Sequence, residues 1–275
     1  MDREKIKKII EKEFKNIATK ELFYKQIDNF FKYHENNTKL YKVGEEVQLS
    51  TTNLIHGSRI EPENMSIIKK HGLVASEFYL KKRIIKKKPF IVEFWNVENE
   101  MTLKEFIDTR AGVTIEVNNM DGTTKYQIMS SINDIGTKIQ ALSSYRDYVI
   151  YQNQEQRFIP NKYFKNSTIA FIIDNDSEKK NDILKNDIFN KNLDRTILEE
   201  ILPKWYIEKY IDGQFDIHET GREKGILFGV PSEMIEGILV NDEIKSNTQI
   251  LNHIHHTFPN CYICDTNGKV LIGNF

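Results

Sequence analysis

Between Lys5 and Tyr33, apolar side chains recur at Ile6, Ile9, Ile10, Phe14 and Ile17, then at Phe23, Ile27, Phe30 and Phe31. Spacings of three and four place them on helical faces, so the pattern predicts two N-terminal helices. The polar run His34-Glu35-Asn36-Asn37-Thr38 breaks the period, and from Tyr41 onward short β-rich pieces alternate with turns. We therefore expect a helical N-terminal extension over 1–40 and one main domain over 41–275.

Within that domain, Val47, Leu49 and Leu54-Ile55 predict strands, and Asn64 to Gly72 predicts a short helix with a glycine placed to cap it. Val113 to Val117 alternates, Asp121-Gly122 supplies turn residues, and Tyr126 to Met129 runs back, which reads as a hairpin. Thr168 to Ile173, Gly225 to Phe228 and Gly237 to Val240 are short apolar runs suited to buried strands. Helices are expected between them, at Leu184 to Tyr210 and Asn247 to Phe258. The fold class that follows is α+β.

Composition narrows the functional classes more than it selects among them. Hydrophobic residues make up 39% and aromatics 11% of 275 residues, enough for a packed interior. With 39 Lys plus Arg against 40 Asp plus Glu, no field of one sign draws the whole chain to nucleic acid or an anionic membrane. The charged start, Met1-Asp2-Arg3-Glu4-Lys5, and the lack of any long apolar window lead us to expect a cytoplasmic protein with no membrane partner. Two cysteines, Cys261 and Cys264, are too few for a disulfide framework.

Candidate chemistry centres on Leu54-Ile55-His56-Gly57-Ser58-Arg59. In an extended strand His56 and Ser58 face one way and Gly57 the other. A ligand lying along it meets an imidazole, a hydroxyl and an unobstructed backbone. Glycine lets a carboxamide approach the main chain closely, and a neutral imidazole can donate to or accept from a ribose hydroxyl.

This segment, followed by Ile67-Ile68 and Gly72-Leu73, resembles the poly(ADP-ribose) polymerase pattern of a hydrophobic-His-Gly-Ser/Thr strand, a short helix and Gly-Leu. A like opening occurs in bacterial ADP-ribosylating toxins. The resemblance implies an ADP-ribosyltransferase-like split β-sandwich that binds NAD as a substrate. It further implies that His56 holds the adenosine ribose, Gly57 binds the nicotinamide carboxamide through its backbone, and Ser58 supports the strand. The aromatic that stacks on nicotinamide is then sought at Tyr79, with Phe94, Trp95, Tyr145 and Tyr148 competing.

A second resemblance, to DNA-modifying bacterial ADP-ribosyltransferases, rests on His218 to Pro231, where a Glu begins a short apolar strand leading to Val-Pro. It implies Glu223 as the catalytic carboxylate with Glu219 beside it. Glu236, ahead of Gly237 to Val240, competes, as does Asp147 within Tyr145-Arg146-Asp147-Tyr148.

The expected reaction is transfer of ADP-ribose from NAD to a macromolecular acceptor, protein or nucleic acid, with release of nicotinamide and no metal. The alternatives are an NAD-dependent RNA 2′-phosphotransferase and a catalytically silent NAD-binding module. Richness in Lys, Asn and Ile fits a low-GC bacterium or its phage, where toxins and defence proteins of this kind are expected.

Two other clusters call for explanation. His253, His255, His256, Cys261 and Cys264 raise zinc, although no second cysteine pair completes a structural site, and core thiols are the expected reading. Lys81 to Lys88 carries six basic groups, read as a solvated face rather than a phosphate grip.

Overall fold

A computed structural model describes residues 2–34, 39–58, 60–75, 78, 90–111, 114–118, 124–128, 169–174, 182–189, 192–204, 207, 212 and 223–274. The elements in chain order begin with α1 (Arg3–Glu13), α2 (Ile17–Lys32), β1 (Gln48–Leu49), β2 (Leu54–Ser58), a 3-10 turn (Pro62–Asn64), α3 (Met65–His71) and β3 (Leu73–Val74). There follow β4 (Ile91–Asn96), β5 (Met101–Thr102), α4 (Leu103–Ala111), β6 (Thr114–Asn118), β7 (Thr124–Ile128) and β8 (Ile169–Ile173). The remainder comprises α5 (Arg195–Ile201), β9 (Glu223–Leu227), β10 (Gly229–Val230), β11 (Ile235–Val240), α6 (Asp242–Lys245), α7 (Thr248–Thr257), β12 (Tyr262–Cys264) and β13 (Val270–Ile272). Among the described residues the chain is thus mixed α+β, with β11 and β12 parallel and antiparallel pairs predominating.

Two compact units divide the chain: residues 1–37, 67–96 and 175–234 form the first, and 38–66, 97–174 and 235–275 form the second. In the first, Asp2 and Asn16 cap α1 and α2 by accepting from Glu4 and Ala18 N–H, which supplies partners for otherwise unpaired donors. α1 buries Ile6 and Ile10 and α2 buries Phe23, Ile27 and Phe30, whereas Ile17, expected on the same faces, is 72% exposed. Phe14 stacks on Phe23 with ring centroids 4.5 Å apart and meets Phe90 edge-on at 4.8 Å, and Phe30 meets Phe228 at 5.0 Å.

The buried polar side chain of Gln26 lies within this apolar contact. The Gln26 Nε2 donates to the carbonyls of Ile183 (3.2 Å) and Gly229 (3.4 Å), while its Oε1 accepts from Asn186 Nδ2 (2.5 Å). Its donor and acceptor atoms are both engaged, as a fully buried amide requires.

In the same unit β4 pairs antiparallel with β9, and β10 pairs antiparallel with β3. Between β9 and β10 the backbone turns through Phe228 (φ 67) and Gly229 (φ 127). Left-handed backbone is unusual for a bulky residue, and Phe228 is held there by burial. Its N–H donates to Phe90 O at 3.1 Å, its carbonyl accepts from Ala75 at 2.9 Å, and its ring contacts Phe78 at 4.8 Å.

The helix expected from Leu184 to Tyr210 is shorter, with α5 confined to Arg195–Ile201. Upstream, the chain is drawn onto β9 instead: Leu227 N–H donates to Asn186 O at 3.1 Å and Ile188 N–H to Gly225 O at 2.9 Å. Asp194 then caps α5 by accepting from Thr196 N–H, and Leu202, the residue before Pro203, leaves the helix with extended backbone.

The second unit contains a run of strands in the order β13-β12-β11-β8-β2. β11 and β12 are parallel; the β13-β12, β11-β8 and β8-β2 pairs are antiparallel. All five residues of β8 are buried, which explains its unbroken apolar character. On β11 the register slips between Ile235 and Gly237, making Glu236 the extra residue of a bulge. The predicted hairpin is present as β6 and β7, paired from Thr114↔Ile128 to Asn118↔Thr124.

Candidate functional site

β2 carries His56 at the centre and Ser58 at the end of its pairing with β8, with His56↔Phe171, Gly57↔Ala170 and Ser58↔Ile169 as partners. Burial alternates accordingly: His56 and Ser58 are half-buried, while Gly57 is buried. The Ser58 Oγ accepts from Ile60 N–H at 3.2 Å, tying down the chain as it leaves the strand. Directly opposite His56, Phe171 meets Phe258, at the end of α7, with centroids 6.2 Å apart. On the His56 face, Phe171 is thus covered by Phe258, while His56 and Ser58 remain half-buried.

The opposite face of the same strands is closed. Tyr262 pairs with Gly237 in parallel register, and a Cβ added to Gly237 would collide with the Tyr262 ring. Gly237 pairs with Ile172, which pairs with Ile55. Paired residues share a face and successive residues alternate, so the Tyr262 ring lies on the side away from His56. Tyr41 packs edge-on against that ring at 4.7 Å.

Glu236 belongs to this closed side. Its carboxylate is 5% exposed and accepts from Asn53 Nδ2 at 2.9 Å and from Tyr262 Oη at 3.3 Å. Burial first, and the nearby Glu236 second, push the Tyr262 phenol well above its ordinary range, so its proton stays in place for donation. As a rival for the catalytic carboxylate, Glu236 is thus engaged on the face that His56 does not share.

Glu223 opens β9 and is the Cα partner of Trp95 on β4. β9 is held on its other side by Asp187, whose Oδ1 accepts from Gly225 N–H at 2.9 Å and Phe189 N–H at 3.1 Å. A Cβ at Gly225 would press on the Phe189 ring at 2.8 Å. The structure places Glu223 in the first unit and His56, Gly57 and Ser58 in the second. Phe94 and Trp95 are both buried on β4, at 0% and 6% exposure. Tyr79, Glu219, Tyr145, Asp147, Tyr148 and the basic run of residues 81–88 lie outside the described residues.

The cysteine and histidine cluster resolves into core and helix surface. Cys261 and Cys264 are buried and donate to the carbonyls of Ile235 (3.1 Å) and Ile238 (3.7 Å) on β11. Burial, with Asp265 and Glu236 nearby, pushes the Cys264 thiol well up. His253 and His256 project from α7 at exposed positions. Among the described residues no group of three or more His, Cys, Asp or Glu could hold a metal ion.

Sequence reasoning singled out the residues of β2 but missed the polar groups that fix it. Asn53 was hidden in a Ser-Thr-Thr-Asn turn, and Tyr262 between two cysteines in a segment read for its thiols. Neither carries a periodic signal of its own. The chain matches no protein-family model, no curated protein and no solved structure. Among the described residues, no helix is long and apolar enough to cross a membrane.

Proposed function

We propose that the chain is an NAD-dependent ADP-ribosyltransferase, moving ADP-ribose to a macromolecular acceptor with release of nicotinamide. The observation that carries the reading is β2: His56 and Ser58 stand half-buried on one side, and Gly57 faces the other within a fully paired strand. That arrangement suits a flat polar ligand lying along the strand. His56 would hold the adenosine ribose and Gly57 the carboxamide through its backbone. Support also comes from Ser58, whose hydroxyl secures the end of the strand in the role that the family resemblance implies.

In this reading the bond from the ribose carbon to nicotinamide breaks through an oxocarbenium-like transition state, as in glycoside cleavage. Glu223 would stabilise the developing positive charge and orient the attacking hydroxyl or amine. No residue of this scheme requires a metal.

The test is incubation of the purified chain with NAD labelled in its adenylate moiety, together with cell lysate. Release of nicotinamide and a labelled macromolecule are expected, and separate nuclease and protease treatments identify the acceptor. NAD binding without nicotinamide release would instead indicate a silent binding module. Transfer of 2′-phosphate from RNA would indicate the phosphotransferase.

A further inference from the structure

We infer that Asn53, Glu236 and Tyr262 form a positioning device that fixes the register and facing of β2, and so acts through that strand on His56. The inference rests on the proposed NAD-binding role of His56 for its functional consequence. Its structural content rests on the hydrogen bonds alone.

Asn53 is the last residue before β2 and is 4% exposed. Its side chain works in three directions. The Oδ1 accepts from Ser50 N–H at 2.9 Å, closing the turn that feeds the strand. Its Nδ2 donates to Ile173 O at 3.3 Å on the neighbouring β8 and to Glu236 Oε1 at 2.9 Å on β11, one strand further on. One amide thus links three adjacent strands at the end where β2 begins.

The far end of this link is equally constrained. Glu236 is the extra residue of the β11 bulge, and a bulge re-aims a side chain that regular pleating would send elsewhere. Its carboxylate takes the Tyr262 hydroxyl, and the Tyr262 ring is clamped between Gly237 and Tyr41. Tyr41 is itself fixed by its hydroxyl, which donates to Gln48 O at 3.2 Å and accepts from Gln48 N–H at 3.1 Å.

Register matters on β2 because a slip of one residue exchanges the two faces of a strand. His56 and Ser58 would turn toward the closed Tyr262 side, and Gly57 toward the side on which His56 stands. The flanking residues resist such a slip only weakly: Leu54 and Ile55 are both buried and both aliphatic, so apolar burial alone does not choose between them. A polar anchor with specific partners does.

The test compares Glu236→Leu, which cannot accept a hydrogen bond, with Glu236→Gln, which keeps an acceptor oxygen. Amide hydrogen exchange over Leu54–Ser58 is measured against α7 in the same unit, together with the imidazole NMR resonances of His56 and the affinity for NAD. Glu236→Leu is expected to speed β2 exchange at least about tenfold relative to α7, to shift the His56 resonances and to weaken NAD binding by about tenfold or more. Glu236→Gln should restore most of each. Tyr262→Phe and Asn53→Ala carry the same test if Glu236→Leu does not fold. Unchanged β2 exchange and His56 resonances in folded variants, or equal acceleration in β2 and α7, would overturn the inference. If wild type does not bind NAD, the proposed function fails while exchange and resonances still decide this one.

Discussion

Glu200 on α5 holds the link between the two N-terminal helices: its carboxylate accepts from Lys15 N–H at 2.8 Å and from Asn16 N–H at 3.0 Å. Lys15 joins the Phe14 cap of α1 to the Asn16 cap of α2, so one side chain anchors the connection between the helices. Burial pushes the Glu200 carboxyl up, but these N–H donors, the Thr19 hydroxyl and the Lys15 charge outweigh it and hold it below the ordinary value of 4.5. A depressed carboxyl contributes stability above its unfolded value, and that contribution is lost as pH falls through the folded one. Glu200→Ala is expected to cost about 1.5–3 kcal/mol at neutral pH, the range for hydrogen bonds to a charged group. The loss should shrink as pH falls below 4.5, which urea titrations at several pH values would reveal.

Gly229 and Gly44 both adopt positive φ, at +127° and +87°, yet differ in the space around them. A Cβ on Gly229 would collide with Leu73 O and approach Val74 Cα at 2.8 Å, whereas on Gly44 it meets nothing within 4 Å. Gly44→Ala should therefore cost only the backbone strain, about 1 kcal/mol. Gly229→Ala adds displacement of β3 from β10 and should exceed about 3 kcal/mol, beyond strain alone. Equal costs in chemical denaturation would mean that the β3–β10 pairing yields freely.

His71 closes α3 beside Gly72 and shares a cavity of about 140 Å³ with Tyr33, Lys70 and Ser232. Burial, reinforced by the charge of Lys70, lowers its imidazole below the ordinary 6.5. The folded state thus favours the neutral ring, and the unfolded chain binds the proton more readily. This contribution to stability is present above pH 6.5 and is lost as pH falls through the lowered value. His71→Gln, which cannot titrate, should flatten the stability profile below pH 6.5. An unchanged profile would show that other groups carry the acid limb.

The elements legible in the sequence were those whose pattern is local. Ile6, Ile10, Phe14, Phe23, Ile27 and Phe30 repeat at helical spacing, and each is buried. β8 announced itself by consecutive apolar residues, since both of its faces are covered. β4 passed unnoticed as a strand because Phe94 and Trp95 were weighed as single aromatics. The overlong helix expected from Leu184 ignored a tertiary competitor, the hydrogen bonding of residues 186–188 to β9. Long-range polar pairs were the least legible: Asn53 and Glu236 lie 183 positions apart, and nothing in either neighbourhood names the other.

Of the proposed catalytic carboxylates, Glu223 stands on β9 and Glu236 on β11. Glu236 accepts hydrogen bonds from Asn53 and Tyr262 on the face away from His56, so its removal should act on β2 rather than on the developing charge. Glu223 begins β9, which pairs with β4 and whose Gly225 N–H donates to Asp187, and in the proposed reaction such support would suit a group that meets a transition state. Glu223→Gln retains the size of the side chain and removes its charge. If that charge stabilises the oxocarbenium-like state, nicotinamide release should fall by about 10²–10³ while NAD affinity stays within a few-fold. A fall in kcat with unchanged dissociation constant separates this from the Glu236→Leu outcome, where binding itself weakens. Near-normal release by Glu223→Gln, with loss instead in Asp147→Asn or Glu219→Gln, would move the catalytic carboxylate off β9.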